Sequence, residues 1–390
     1  MLRSEAVIDL AAITANVATL KGRTPAELMA VVKADGYGHG LVPSARAALA
    51  GGATWLGVAM LDEAVALRRA GVTERVLAWL WTPVETAALR AALASDVDIS
   101  VSSQQQLDLV VATAAELGRA ARVHLKIDTG LARNGVTAQE WPGLVTATAK
   151  AAATGVVETT GIWSHFVYAD SPGHPTTASQ VERFTEAVDV ARRLGVVPEV
   201  RHLANSAGTV TLPAAHFDLV RPGVAVYGLS PVPSQGDFGL VPAMTLRSTL
   251  ANVKRVGPDQ GVSYGHQYRT AAASTLALVP LGYADGVPRA ATNVGPVAIN
   301  GRRYTVSGRV CMDQFVVDLG DARASEGDTV VLFGPGTGGE PTAQDWADVL
   351  DTIHYEIITR IGARVPRTYV PADPSRTADS ALAGPAAGSS

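Results

Sequence analysis

The stretch that decides the fold begins with LMAVVKA (28–34), passes through an alanine-rich segment, and returns to WLGVAM (55–60) and VLAWLW (76–81). Short apolar runs of this kind predict buried strands, and the longer segments between them have the i, i+3, i+4 apolar spacing of helices. The alternation continues through VDISV (97–101), VHLKID (123–128), GIWSHF (161–166), VRHLAN (200–205) and FDLVRP (217–222). Eight strand–helix units within about 200 residues predict an α/β fold of the (β/α)8 TIM barrel type. A doubly wound open parallel sheet is the alternative.

The pattern of the chain changes near residue 240, where strand-like runs follow one another with turn signals between them and little helix. These runs include TLRSTLANVKRV (245–256), QFVVDLG (314–320) and DTVVLFG (328–334). We therefore expect a barrel domain over residues 1–239 and a mainly β domain over residues 240–370. The tail over residues 371–390 is rich in Pro, Ala, Ser and Gly without periodicity, which predicts a disordered segment.

The composition excludes several classes of function. The net charge is −4, which offers no basic surface for nucleic acid or for an anionic membrane. No apolar run reaches the roughly 18 residues that a transmembrane helix needs, and Glu5 and Asp9 interrupt the region where a signal peptide would be apolar. The single Cys311 allows no intrachain disulfide, so we expect a cytoplasmic protein. No HExxH spacing occurs, so no catalytic metal is expected.

Polar side chains follow five of the predicted barrel strands, and a TIM barrel builds its site from the carboxyl ends of its strands. These residues are Lys33, Arg133, His165, Ser206 and Arg221. Each alone is more often a surface charge, a core histidine or half of an ion pair, but five together on one rim favour a site. Lys33 follows a run that belongs inside the barrel, and a desolvated lysine is a candidate to form a Schiff base. Ser206 and Gly223, after strands 7 and 8, suit phosphate binding.

The run AVVKADGYGHG (30–40) closely resembles the attachment signature for pyridoxal 5′-phosphate (PLP) in alanine racemases. The resemblance covers about residues 5–370. Further matching motifs are KIDTGLARNG (126–135), WSHF (163–166), HLANSAG (202–208), FDLVRPGVAVYG (217–228), GVSYGHQY (261–268), GYADGVPR (282–289), GRVCMDQF (308–315) and HYEIITRIGARVPR (354–367). Many motifs in the same order make a chance match implausible.

The resemblance implies a role for each matching position. Lys33 would form the internal aldimine with PLP, and Tyr264, reaching the site from a partner subunit, would be the second base. The implied cofactor contacts are Tyr37, His165, Asn205, Ser206, Arg221, Gly223, Val224 and Tyr355. Arg133 and Met312 would bind the substrate, and Lys126 matches a lysine that is often carbamylated. The implied substrate entrance comprises Asp170, Tyr283, Arg289, Arg309 and Ile353.

The implied activity is the interconversion of L-alanine and D-alanine by two bases, with Lys33 acting on D-alanine and Tyr264 on L-alanine. A homodimer with shared active sites, supplying D-alanine for peptidoglycan, follows from the same resemblance. Three alternatives stay open: a PLP-dependent decarboxylase of basic amino acids, a racemase of broader specificity, and a PLP carrier without activity. The decarboxylase would be expected to have an acidic residue where Arg221 stands, and the carrier would lack the domain after residue 240.

Overall fold

A computed structural model describes residues 2–370, so the tail predicted to be disordered, residues 371–390, lies outside the described part. The chain forms two compact units. One is Thr14–Val241, and the other joins the residues up to Ile13 with those from Pro242 onward. The chain opens with strand β1 (Ser4–Asp9) and helix α1 (Leu10–Lys21).

The unit Thr14–Val241 is built on eight parallel strands, and each overlaps one of the eight apolar runs. They are β2 (Glu27–Val31), β3 (Trp55–Val58), β4 (Arg75–Ala78), β5 (Asp98–Val101), β6 (Ala121–Lys126), β7 (Val157–Trp163), β8 (Val200–His202) and β9 (Leu219–Val220). Neighbours pair in the order β8-β7-β6-β5-β4-β3-β2-β9. The N–H of Arg221 donates to the carbonyl of Ala204 (2.8 Å), which joins the β9 end to the β8 end. The TIM-barrel prediction is confirmed over the open-sheet alternative.

Helices lie between all successive strands of the barrel, and the first of them (Lys33–Tyr37) is a short turn with left-handed backbone angles. They are α2 (Lys33–Tyr37), α3 (Leu41–Ala50), α4 (Leu61–Arg69), α5 (Thr86–Ala94), α6 (Gln104–Leu117), α7 (Trp141–Ala153), α8 (Pro175–Arg193) and α9 (Ser206–Thr211). Helix α6 shows why these segments fold. Ser103 caps its first turn by accepting the N–H of Gln106, its buried face carries Leu107 and Val110, and it ends at Gly118 in the left-handed conformation. None of the described helices is long and apolar enough to cross a membrane.

The second unit is mainly β, as predicted. Its strands are β10 (Met244–Thr249), β11 (Asn252–Val256), β12 (Gly261–Val262), β13 (Tyr268–Arg269), β14 (Ser274–Val279), β15 (Pro296–Ile299), β16 (Arg302–Thr305), β17 (Phe315–Asp318), β18 (Thr329–Phe333) and β19 (Arg367–Val370). They form a six-stranded sheet in the order β16-β15-β18-β10-β1-β19, a three-stranded sheet β11-β14-β17 and the pair β12-β13. Two helices follow, α10 (Ala343–Val349) and α11 (His354–Thr359).

Strand β1 lies in the six-stranded sheet of the second unit, whereas the expected domain boundary put residues 1–239 together in the barrel. It pairs antiparallel with β10 and parallel with β19. Its side chains match that position, because Ala6 and Ile8 are buried and Glu5 accepts hydrogen bonds from Arg247 and Thr368. The partners of β1 lie more than 200 residues away in sequence, so no local pattern reports the pairing.

Candidate active site at the barrel rim

The backbone immediately after Lys33 turns in the left-handed direction. Four consecutive residues, Ala34 to Tyr37, have φ angles between 52° and 61°. Each non-glycine residue in this conformation costs about 1–2 kcal/mol, and such strain is concentrated at functional sites. Gly36 cannot be larger, because a Cβ there would lie 2.6 Å from Ser44 Oγ. The residue expected to hold a cofactor therefore stands at the start of a strained, closely packed turn.

Side chains from neighbouring segments hold this turn in place. Glu63 bridges two segments: its Oε1 accepts the N–H of Ala34 (2.6 Å), and its Oε2 accepts the N–H groups of Ala59 and Met60 (both 3.0 Å). Asp35 accepts the N–H of Leu41 (2.8 Å). The sequence reasoning missed Glu63. Its position three residues after the cap of α4, typical of a capping box, was the signal that could have found it.

Lys33 and Lys126 both stand in an environment that disfavours their charge. Burial, and then the charge of Arg133, lowers the pKa of Lys33, against a smaller opposing effect of Glu63. Burial lowers the pKa of Lys126 to about 7, and the charges of Arg221 and Arg133 act in the same direction. The Nζ of Lys126 lies 4.2 Å from the centroid of the Trp163 ring. The shift at Lys126 brings a neutral amine within reach near neutral pH.

Arg221 is buried, with 4% of its surface exposed. Its guanidinium donates to the carbonyls of Ser164 (2.8 Å) and Leu203 (3.2 Å) and lies 3.3 Å from Nδ1 of His165. Burial lowers the pKa of Arg221 to about 9. Burial, and then the charge of Arg221, holds the pKa of His165 well below its ordinary value, so this imidazole is neutral.

Ser206 stands where three segments meet: the segment after β8, the segment after β9 and the turn after β2. The Ser206 Oγ accepts the N–H of Gly223 (2.8 Å) and of Ala225 (3.3 Å). A Cβ at Gly223 would lie 2.3 Å from the Tyr37 hydroxyl, so only glycine allows this approach. Asn205 caps the following helix by accepting the N–H of Gly208 (3.0 Å), and Val224 begins a 3-10 turn over Val224–Tyr227. Hydroxyls and backbone N–H groups gathered in this way suit an anion.

The remaining expected residues of the barrel unit lie on loops. Arg133 is exposed on the loop after β6, which is shaped by Asp128 accepting the N–H groups of Gly130 (2.8 Å) and Ala132 (3.2 Å). Its charge acts on Lys33, Lys126 and His165, so it lies near them. Asp170 is exposed on the loop before α8.

In the second unit, Tyr264 stands on a strained turn with 72% of its surface exposed. The preceding Ser263 has φ 61°, and its hydroxyl donates to the carbonyl of Arg309 (2.7 Å). The carbonyl of Met312 accepts the N–H of Ala284 (2.9 Å), which ties the Met312 loop to the loop that carries Tyr283. The structure therefore links the Arg309 segment to the Tyr264 turn and the Met312 segment to the Tyr283 loop.

The other expected residues of the second unit belong to different local elements. Arg289 begins the 3-10 turn Arg289–Ala291, Ile353 precedes α11, and Tyr355 lies within it. Exposed side chains in this unit include Tyr264, Tyr283, Met312 and Ile353.

Comparisons with known proteins agree with this architecture. The family model for the alanine racemase N-terminal domain matches residues 8–231, and that for the alanine racemase C-terminal domain matches residues 243–369. The alanine racemase of Salinispora arenicola is 58% identical over 95% of this chain and 99% of its own length. That of Frankia casuarinae is 59% identical over 95% of this chain and 97% of its own. The crystal structure of alanine racemase from a D-cycloserine-producing Streptomyces lavendulae superposes with a TM-score of 0.93 at 53% identity, covering 95% and 98% of the two chains.

Proposed function

This chain belongs to the alanine racemase family and is an isomerase, and from that premise we propose that it interconverts L-alanine and D-alanine with PLP held covalently by Lys33. One observation carries the proposal. Four basic side chains, Lys33, Lys126, Arg133 and Arg221, lie close enough at the rim to influence one another's protonation, and none of them forms an ion pair with a carboxylate within residues 2–370. Charges gathered without internal partners call for an anionic ligand.

The residues present fit PLP. The hydroxyls of Tyr37 and Ser206 and the backbone of Gly223 and Val224 would hold its phosphate, and the absent Cβ at Gly223 lets the Tyr37 hydroxyl approach this backbone. Tyr355 would complete the phosphate contacts, and Asn205 and His165 would flank the group. Arg221 would face the pyridine nitrogen as a permanent donor. When bound, PLP supplies an electron sink for the pair left on the substrate's Cα.

Two bases move the substrate's α-proton in this proposal. The Lys33 amine, whose pKa burial lowers, takes the proton from D-alanine, and the phenolate form of Tyr264 of a partner subunit takes it from L-alanine and becomes the hydroxyl. Each base returns a proton in the reverse direction, so neither the substrate nor the base needs to swing across the site. The exposure of Tyr264 supports a homodimer in which this side chain serves the neighbouring site.

The substrate carboxylate would bind Arg133 and the backbone of Met312. Lys126 is well suited to carbamylation, because its pKa of about 7 leaves a neutral amine that can attack CO2 with release of one proton. The product is an anion beside Arg133, which would orient that guanidinium. Asp170, Tyr283, Arg289, Arg309 and Ile353 would line the entrance and limit the substrate to small side chains. The proposed role is to supply D-alanine for peptidoglycan in the cytoplasm.

The test is to incubate the purified protein with PLP and L-alanine and to follow D-alanine by a chiral assay. We expect racemisation by the parent and neither turnover nor the visible absorbance of bound PLP in Lys33→Ala. Release of CO2 from a basic amino acid would indicate the decarboxylase instead. Bound PLP without turnover would indicate the carrier.

A further inference from the structure

A line of buried polar side chains leads from Arg221 away from the rim into the barrel. The Arg221 Nη1 lies 3.1 Å from His202 Nδ1, His202 Nε2 lies 2.8 Å from His124 Nδ1, and His124 Nε2 lies 3.2 Å from Asp98 Oδ2. His124, His202 and Asp98 have no exposed surface. Asp98 is the first residue of β5, so this Arg221–Asp98 chain reaches the amino-terminal end of a barrel strand.

The donors and acceptors along this chain can be arranged in one direction only. A guanidinium donates and never accepts, so His202 Nδ1 must be the acceptor of Arg221. Burial lowers the pKa of both histidines, so each ring is neutral and has a single N–H. The His202 Nε2–H therefore donates to His124, and the His124 Nε2–H donates to the Asp98 carboxylate. The cation at one end is linked to an anion at the other through two oriented rings.

The barrel is shaped to accommodate this arrangement. A Cβ at Gly161 of β7 would lie 2.1 Å from His124 Nδ1, so only glycine leaves room for that ring. The pairing of β6 with β7 shifts register between Val123 and His124, which re-aims the side chain. The His202 ring stacks on Trp163 with an angle of 8° between the planes. Two arginines, Arg122 (2.6 Å) and Arg75 (3.0 Å), hold the Asp98 carboxylate at the far end.

We propose that Asp98 and His124 are positioning residues that act on the reaction through His202 and Arg221, an inference that rests on the proposed function. They orient the Arg221 guanidinium toward the place that the pyridine nitrogen of PLP would occupy and offset the cost of burying its charge. Arg221 has no carboxylate of its own within the described residues, and its other partners are two carbonyls and a neutral histidine. Asp98 is the anion that the chain connects to it. Without such a link, the desolvation cost of burying this cation would be uncompensated.

The test uses the holoenzyme, three variants of the hydrogen-bonded Arg221–Asp98 chain and one control variant. Asp98→Asn keeps the shape and removes the charge, and His124→Leu breaks the chain. His124→Gln keeps an acceptor for His202 and a donor for Asp98 on one amide, so it serves as the conservative rescue. Trp141→Phe is the matched control, because it removes a different buried hydrogen bond of the barrel, from Trp141 to the carbonyl of Ala187 (2.8 Å).

We expect Asp98→Asn and His124→Leu to lose about tenfold in kcat with little change in KM, the scale seen when residues that orient metal-bound histidines are removed. His124→Gln should restore most of that loss, and Trp141→Phe should lower thermal stability without lowering kcat. The protein has eight histidines in total, so 15N labelling of histidine gives a second readout, the tautomer of each ring. His124 and His202 should both be neutral with the proton on Nε2, the His124 signals being assigned by their loss in His124→Gln.

Two results would overturn the proposal: a His202 ring protonated on Nδ1, or parental kcat in both Asp98→Asn and His124→Leu. An equal loss of kcat in Trp141→Phe would also overturn the proposal, because the Arg221–Asp98 chain would then have only a structural role. If His124→Leu fails to fold, Asp98→Asn and the tautomer measurement still decide. A parent enzyme that does not racemise alanine would refute the proposed function instead, while the labelled rings would still report the direction of the chain.

Discussion

Replacing Glu63 by alanine is expected to weaken PLP binding through the backbone that carries Lys33. The variant loses three bonds: one from the Ala34 N–H (2.6 Å) and two from the N–H groups of Ala59 and Met60 (3.0 Å each). A charge-assisted bond contributes about 1.5–3 kcal/mol and a helix cap about 0.5–2 kcal/mol. The expected loss is therefore about 2–5 kcal/mol, against a total stability of about 5–15 kcal/mol.

This loss is comparable to the strain of the turn that Glu63 holds. Ala34, Asp35 and Tyr37 are non-glycine residues in the left-handed region, which costs about 3–6 kcal/mol in all. Without Glu63 the turn should relax before the barrel unfolds, and Lys33 should move with it. PLP affinity is then expected to fall at least about tenfold, which corresponds to 1.4 kcal/mol.

The assay compares urea unfolding of the PLP-free protein with titration of PLP, followed by its absorbance. Glu85→Ala is the matched control, because Glu85 accepts the N–H of Thr82 (2.6 Å) at the start of α5, in a separate loop. It should lose some stability and retain the parental affinity for PLP. Unchanged PLP affinity in Glu63→Ala, or an equal loss of affinity in Glu85→Ala, would refute the reasoning.

Three further predictions follow from the same contacts. Tyr264→Phe should abolish most racemisation while PLP stays bound, as measured by the chiral assay and absorbance; near-parental turnover contradicts the two-base proposal. Because the pKa of Lys126 is lowered to about 7, the unfolded chain binds more protons between about pH 7 and 10.4, so stability should rise with pH in that window. Lys126→Met should flatten this rise in urea unfolding of the PLP-free protein in CO2-free buffer, and an unchanged slope would count against the burial argument. Gly161→Ala should cost about 1–3 kcal/mol or more by overpacking against His124, measured by thermal unfolding, and adding His124→Ala should recover part of that loss.

Much of the candidate site was predictable because a barrel collects the carboxyl ends of its strands on one rim. Lys33 follows β2, and Arg221 follows β9, so their strand-end positions could be inferred before any contact was known. The hydrogen-bonded Arg221–Asp98 chain was harder to predict, although one local signal existed. His124 and Lys126 are two residues apart on β6 and so share a face of the strand, which placed a second polar side chain inside the barrel.

The sequence by itself determined the eight barrel strands, the mainly β second unit and the strand-end position of Lys33, because hydrophobic periodicity is a local property that short segments express independently. Only the tertiary structure decided that β1 joins β10 and β19, that Glu63 supports the turn after Lys33, and that Asp98 is linked to Arg221. These pairings join residues from about 30 to more than 200 positions apart. Which distant groups meet depends on the register and closure of the sheets, and no local pattern encodes that.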